Sequence, residues 1–179
     1  MHFENQDMID LGNIILRKWL LKDVKSLAKH ANNKNIWNNL RDEFPYPYTE
    51  MAAKQWIDIA NQNDPLTNFA IEYKGTAVGG IGIILKSDIF RKNAEIGYWL
   101  GEKYWNRGIS TKAVKAMANY TFEKFEVSRL FAHVFESNIA SVHVLKKCGF
   151  TQDACLKEAI IKNNQLQNCY IFSLLKRDF

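Results

Sequence analysis

Apolar positions near the start of the chain predict a short strand followed by two helices. The apolar run at 14–19 is typical of a strand, and a helix capped at Asp23 follows it. The polar stretch 32–39 ends that helix. A second helix is expected from Thr49, where Glu50 adds a negative charge to the first turn.

The middle of the chain predicts a hairpin. Residues 68–73 and 77–85 are both strand-like, and Lys74-Gly75 between them is a turn pair whose glycine can take positive φ. The later elements follow in order: a strand at 94–100, an amphipathic helix at 109–125, a strand at 129–135, a helix at 138–147, a strand at 150–158, a turn at Asn163-Asn164 and a strand at 167–175. The order β-α-α-β-β-β-α-β-α-β-β indicates an α/β fold with a mixed sheet.

Composition favours one domain over 1–179, because 179 residues of which 47% are apolar can bury one sizeable core. The chain shows no apolar run near 18 residues and no basic, hydrophobic leader, so we expect a cytoplasmic protein without a membrane partner. The three cysteines, Cys148, Cys155 and Cys169, lack paired spacing, and neither a disulfide framework nor a metal site is expected.

The net charge of +5 is spread along the chain rather than gathered in blocks, and aromatic residues do not alternate with basic ones. We therefore expect no nucleic-acid partner.

The most informative segment is 101–111, which joins a strand to a periodic helix through Gly108. A helix start there would aim backbone N–H groups at an anion, while Arg107 would add a cation and the hydroxyls of Ser110 and Thr111 further donors. An ordinary loop with a serine cap is the alternative. The G-x-x-x-x-G-K-[ST] motif is missing from the sequence, and a possible G-x-G-x-x-G from Gly80 meets Leu85 at its last position.

Four stretches in this order resemble the GNAT superfamily of N-acetyltransferases, in the branch of the RimJ and RimL ribosomal-protein enzymes. They are 78–82 (VGGIG), 94–100 (AEIGYWL), 105–111 (WNRGIST), and 138–141 (NIAS) running on to 147–150 (KCGF). The pyrophosphate loop of that family reads Q/R-x-x-G-x-G/A, and this chain has Trp105 and Ser110 at its first and last positions. The resemblance extends over about 14–175, which it marks as the core of the domain. It implies a mixed, mostly antiparallel twisted sheet of about seven strands splayed at the centre, flanked by about four helices.

The resemblance also implies acetyl-CoA as cosubstrate, with direct transfer to a primary amine in a ternary complex. The expected cofactor-binding residues are Tyr98, Trp99 and Leu100 through their backbone, Arg107, Gly108, Ile109, Ser110 and Thr111 around the pyrophosphate, and Asn138 near the sulfur. A non-catalytic CoA-binding regulatory module is the alternative function.

The chemistry needs a neutral amine and a way to quench the leaving thiolate. Glu95 stands where several GNAT enzymes carry a general base, and Ser141 could pass a proton to the sulfur. A carboxyl group with an ordinary pKa of about 4.3 is a weak base for an ammonium near 10, so a water relay or burial would be required. A glutamate in a surface strand or in an ion pair is the alternative reading of Glu95.

The resemblance implies an acceptor site at 39–48, where Asp42 would attract a cationic amine and Phe44 and Tyr48 would exclude water. The aromatic residues and prolines of this segment could instead only pin a loop to the protein. At pH 7 roughly one α-amine in seven is neutral, far more than for a lysine side chain, so a protein N-terminus demands less of a base than other amines. The oligomeric state is left open between monomer and homodimer.

Overall fold

The computed structural model describes residues 8–179, which form eight strands and five α-helices. The strands are β1 (Met8–Asp10), β2 (Ile14–Arg17), β3 (Asn68–Tyr73), β4 (Thr76–Leu85), β5 (Asn93–Leu100), β6 (Arg129–Phe135), β7 (Thr151–Lys162) and β8 (Gln165–Leu175). The helices are α1 (Val24–Ala31), α2 (Lys34–Trp37), α3 (Glu50–Ala60), α4 (Ile109–Lys124) and α5 (Ile139–Lys147). This is the predicted α/β class with one more strand and one more helix than expected.

Most predicted elements are found close to their expected ends because local chemistry fixes them. Thr49 caps α3, its hydroxyl accepting a hydrogen bond from the Ala52 N–H at 3.1 Å. The β3–β4 turn has positive φ at Lys74 and Gly75, and the β7–β8 turn has it at Asn163 and Asn164. Both turns were predicted from these residue types.

Two expectations near the start are corrected. The stretch 32–39 is not simply a break, because Asn33 accepts hydrogen bonds from two backbone amides and thereby caps α2. Asp23 precedes α1, but its carboxylate does not cap the helix. It instead accepts hydrogen bonds from both terminal nitrogens of Arg17, at 2.7 and 2.9 Å, and the two side chains form a buried ion pair.

The described chain divides into two compact units, and the first comprises residues 8–82 and 98–116. In it β1, β2, β3 and β4 pair antiparallel in that order, and the end of β5 runs beside β4. The apolar faces of α1 and α3 pack in a core with Trp19, Tyr48 and Ala70. This core buries Trp19 and Ile57 almost completely.

The second unit comprises residues 83–97 and 117–179. Within it β6 pairs parallel with β5 and antiparallel with β8, and β7 pairs antiparallel with β8. Alternate residues of β6, namely Leu130, Ala132 and Val134, are buried, so the opposite face carries Phe131 and His133. The pairing in the two units makes the sheet mixed and mostly antiparallel, as predicted. The expectation of a single domain stays a prediction.

Within residues 8–179, no helix has both the length and the apolar character needed to cross a membrane.

Candidate functional site

The loop between β5 and α4 is held in shape by its own residues. The Gly101 N–H donates to the Val78 carbonyl at 2.8 Å, and the indole Nε1–H of Trp105 donates to the Leu100 carbonyl at 2.7 Å. Asn106 and Gly108 then take positive φ of 60° and 71°, and α4 starts directly afterwards. The Trp105 ring thus fixes the loop to the end of the strand that leads into it.

The start of α4 has the form of an anion site. Its first hydrogen bond runs from the Lys112 N–H to the Gly108 carbonyl at 3.1 Å, so the amides just before Lys112 project from the positive end of the helix. A Cβ built on Gly108 meets no atom within 4 Å. Because Ile109 is buried and Ser110 half-buried, the backbone around exposed Gly108 is the part that an anion can approach.

Cations collect around one aromatic ring in this loop. The guanidinium carbon of Arg107 lies 5.7 Å from the centre of the Tyr104 ring, and Nζ of Lys103 lies 4.9 Å from it. The His30 ring packs nearly perpendicular to the Tyr104 ring, with 5.4 Å between the two ring centres. Both cations are exposed at the surface, which leaves their charge available to an anionic ligand.

The acidic residue of the loop is engaged elsewhere. Glu102 accepts hydrogen bonds from the side-chain amides of Asn33 at 2.6 Å and Asn35 at 2.9 Å, which lower the pKa of its carboxyl group. The Glu102 carboxylate therefore anchors the loop to the start of α2.

His30, which packs against Tyr104 of the same loop, has a lowered pKa. Burial is the main cause, and the nearby charges of Lys103 and Lys29 add to it.

The end of β5 packs tightly against β4 at two glycines. A Cβ on Gly79 would meet the Trp99 carbonyl oxygen, and one on Gly80 would lie 2.8 Å from the Trp99 indole nitrogen and 3.2 Å from Trp19. Since β4 has hydrogen atoms in place of side chains here, Trp99 can lie directly over its backbone. Tyr98 and Trp99 are half-buried, and Leu100 is buried.

The predicted acceptor segment contributes aromatic rings to the same unit. Phe44 lies 4.8 Å from Tyr48 and 5.7 Å from Trp99, measured between ring centres. Tyr48 is 5% exposed and belongs to the core, and burial raises its pKa to about 12. Asp42 is exposed. Tyr48 thus has a packing role whatever else it does, while Phe44 connects this segment to the end of β5.

In the second unit, Glu95 is the centre of a charged cluster. In its buried carboxylate, Oε2 accepts a hydrogen bond from Lys86 Nζ at 2.8 Å. The other oxygen, Oε1, lies 2.9 Å from His133 Nδ1. The ring of Phe131 lies beneath both partners, 5.4 Å from Lys86 Nζ and 5.5 Å from the His133 ring. The ion pair weighed as the alternative for Glu95 is present, with a buried carboxylate and partly exposed partners.

The start of α5 holds the other two predicted residues of this unit. The side-chain oxygen of Asn138 accepts a hydrogen bond from the Ser141 N–H at 3.1 Å and caps the helix. Both residues are half-buried. The capping bond fixes Ser141 in the first turn of α5.

The structure sorts the predicted residues into two sets. The first unit holds Asp42, Phe44, Tyr48, Tyr98, Trp99, Leu100, Arg107, Gly108, Ile109, Ser110 and Thr111, and the second holds Glu95, Asn138 and Ser141. Sequence reasoning missed His133 and Lys86. The alternation of β6 already placed His133 opposite the buried face, but nothing in the sequence named Glu95 as its partner.

No group of three or more histidine, cysteine, aspartate or glutamate side chains that could hold a metal ion is found in the part of the chain that the structure describes.

Comparisons with known proteins agree on one family. The model of the acetyltransferase (GNAT) domain matches residues 13–151, more than half of the chain. The chain is 27% identical over 172 residues to the uncharacterized N-acetyltransferase p20 of Bacillus licheniformis, covering 93% of this chain and 94% of that protein.

Solved structures show the same fold. The microcin C7 self-immunity acetyltransferase MccE, in complex with acetyl-CoA and AMP, superposes with a TM-score of 0.80 at 25% identity, covering 91% of this chain and 92% of that one. The ribosomal L7/L12 alpha-N-protein acetyltransferase RimL, in complex with coenzyme A, superposes with a TM-score of 0.82 at 20% identity, covering 94% and 98%. The chain belongs to the GNAT acetyltransferase family and is an acetyltransferase.

Proposed function

We propose that this protein transfers an acetyl group from acetyl-CoA directly to a primary amine, either a protein N-terminus or a small molecule, in a ternary complex. The observation that carries the proposal is the α4 start, where Gly108 has positive φ and open space beside exposed Arg107. Linked phosphates fit such a site because the backbone amides and the helix dipole both favour negative charge.

The residues of the first unit fit the cofactor. We assign the pyrophosphate to the segment from Arg107 to Thr111, with Ile109 and Ser110 contributing backbone amides, and the pantetheine arm to the backbone from Tyr98 to Leu100. The Leu100 carbonyl already accepts from Trp105, so Tyr98 and Trp99 have the larger part in this contact. MccE binds acetyl-CoA and RimL binds coenzyme A, which supports the same ligand here.

The second unit supplies groups for proton transfer. We assign uptake of the acceptor proton to the cluster that Glu95 forms with Lys86 and His133, and donation of a proton to the leaving sulfur to Ser141. Asn138 holds the first turn of α5 in place. Each role matches a chemical need of acetyl transfer, namely a neutral amine and a protonated thiol.

The acceptor is assigned to the segment containing Asp42, Phe44 and Tyr48. Exposed Asp42 provides negative charge for an ammonium group, and Phe44 provides an apolar wall beside Trp99. RimL is named for modifying an α-amine of a ribosomal protein, and the lower pKa of α-amines favours that class for this chain as well. A cytoplasmic location and the choice between monomer and homodimer stay predictions.

Two measurements test the proposal. Acetyl-CoA at 100 times its Kd stabilises a protein by about 2.7 kcal/mol, which for this length raises Tm by about 5–11 °C. Release of free thiol from acetyl-CoA is then followed with a panel containing a free tripeptide, spermidine and several small primary amines. No thermal shift would contradict cofactor binding, whereas a shift without thiol release for any amine would support the non-catalytic CoA-binding alternative.

A further inference from the structure

The hydrogen-bond geometry around Glu95 determines which nitrogen of His133 carries a proton. The Glu95 carboxylate lies 2.8 Å from the Lys86 ammonium, and a positive charge this close favours its ionised form. An ionised carboxylate only accepts hydrogen bonds. The short contact from Oε1 to Nδ1 of His133 therefore requires the proton on Nδ1, and in the neutral ring Nε2 is the bare, basic nitrogen.

Glu95 itself is poorly placed to act as the base. One oxygen is held by Lys86 and the other by His133, so a proton from an acceptor would have to displace one of two charge-assisted bonds. His133 differs because 37% of its side chain is exposed. The ring can meet an incoming amine while its inner nitrogen stays bonded to the carboxylate.

Open space lies on the same strand face. Gly97 follows Glu95 by two residues and shares its side of β5, and a Cβ built there meets no atom within 4 Å. The charged groups that face His133 are Lys86 and Glu95, with Arg129 on the far side of Phe131, and its β8 neighbour is apolar Ile171. The face thus offers a carboxylate-held imidazole beside space for a ligand atom.

We infer that His133, through Nε2, is the catalytic residue that takes the proton from the acceptor ammonium, and that Glu95 and Lys86 are positioning residues that fix its tautomer. The inference rests on the proposed function and names the base within it. A free imidazole titrates near pH 6.5 and a free carboxyl near 4.3, so an imidazole is the better match to an amine at neutral pH.

The reaction balances with this assignment. The acceptor ammonium gives one proton to Nε2 of His133, and the amine nitrogen then bonds to the acetyl carbonyl carbon. The bond from that carbon to the CoA sulfur breaks. Of the two protons left on the nitrogen, one stays in the amide and the other is lost, while Ser141 passes one proton to the sulfur. The products are an amide and a thiol, and His133 returns its proton to water.

The first test needs no substrate. Nitrogen-15 NMR of the cofactor-free protein reports the tautomer of each histidine, and His133→Ala assigns the signal by its loss. We expect the His133 signal to show protonated Nδ1 at pH 8 and to become a mixture in Glu95→Gln. A predominantly Nε2-protonated ring in the wild-type protein would overturn the inference.

The second test is kinetic and uses the fastest amine of the panel described above. We expect His133→Ala to lower kcat/KM by 10²- to 10⁴-fold, the usual contribution of a general base. Added imidazole should restore part of the rate because the truncated site is open to solvent. His143→Ala, at an exposed position of α5, is the matched control and should keep wild-type activity.

A His133→Ala enzyme within threefold of wild type, or one that imidazole does not rescue, would overturn the base role of His133. If the wild-type protein acetylates no amine, the proposed function fails and this inference falls with it. The two failures are distinguishable, since the first requires an active wild-type enzyme.

Discussion

Gly108→Ala, with Gly75→Ala as its control, separates backbone strain from loss of a phosphate site. Both glycines have positive φ, 71° and 81°, and a Cβ on either meets no atom within 4 Å. Forcing a residue with a Cβ into this region costs roughly 1–2 kcal/mol. We expect each variant to lower Tm by about 2–8 °C, because 1 kcal/mol corresponds to about 2–4 °C at this length.

The two variants should differ in cofactor binding. The added methyl of Gly108→Ala occupies the space through which a phosphate oxygen would approach the amides of the α4 start. Loss of one hydrogen bond to a charged group costs about 1.5–3 kcal/mol, which corresponds to about 10- to 150-fold weaker binding. Isothermal titration with acetyl-CoA well below Tm measures this effect. Equal affinities for Gly108→Ala, Gly75→Ala and the wild-type protein would refute the assignment of the pyrophosphate to this turn.

Three further predictions concern the first unit. Arg17→Met leaves the buried carboxylate of Asp23 without its cation and should lower the free energy of unfolding by about 3 kcal/mol in urea titrations. Burial lowers the pKa of His30, so below about pH 6.5 the unfolded chain binds a proton that the folded chain does not. The free energy of unfolding should therefore decrease as the pH is lowered. His30→Gln should flatten that decline in Tm between pH 7 and 5. Trp105→Phe removes the 2.7 Å bond to Leu100 and should weaken CoA binding about fivefold, for a loss near 1 kcal/mol, with little change in Tm.

The sequence predicted those features that depend on nearby residues. The Thr49 cap, the Lys74-Gly75 turn and the limits of β6 follow from local chemistry and strand alternation, and the structure has all three. Two short elements escaped prediction because little sequence specifies them. β1 has three residues with Ile9 alone buried, and α2 has only four residues.

Contacts between distant residues could not be read from the sequence. His133 lies 38 positions from Glu95, and the strand pattern gives the side of the sheet on which it lies without naming its partner. Asp23 was expected to cap α1 and instead pairs with Arg17, only six positions away, because the sequence does not show which of the two local contacts the folded chain makes. In both cases a charged side chain serves a tertiary ion pair because burial makes an unpaired charge costly.

The glycines of β4 beside Trp99 couple the position of the end of β5 to the size of two residues on the neighbouring strand. A methyl at Gly79 would overlap the Trp99 carbonyl, so the chain could accept it only by pushing that strand end outward. The segment displaced in this way is the one to which we assign the pantetheine arm. If that assignment is right, substitution at this one buried glycine would change the affinity for coenzyme A without altering any side chain assigned to the cofactor.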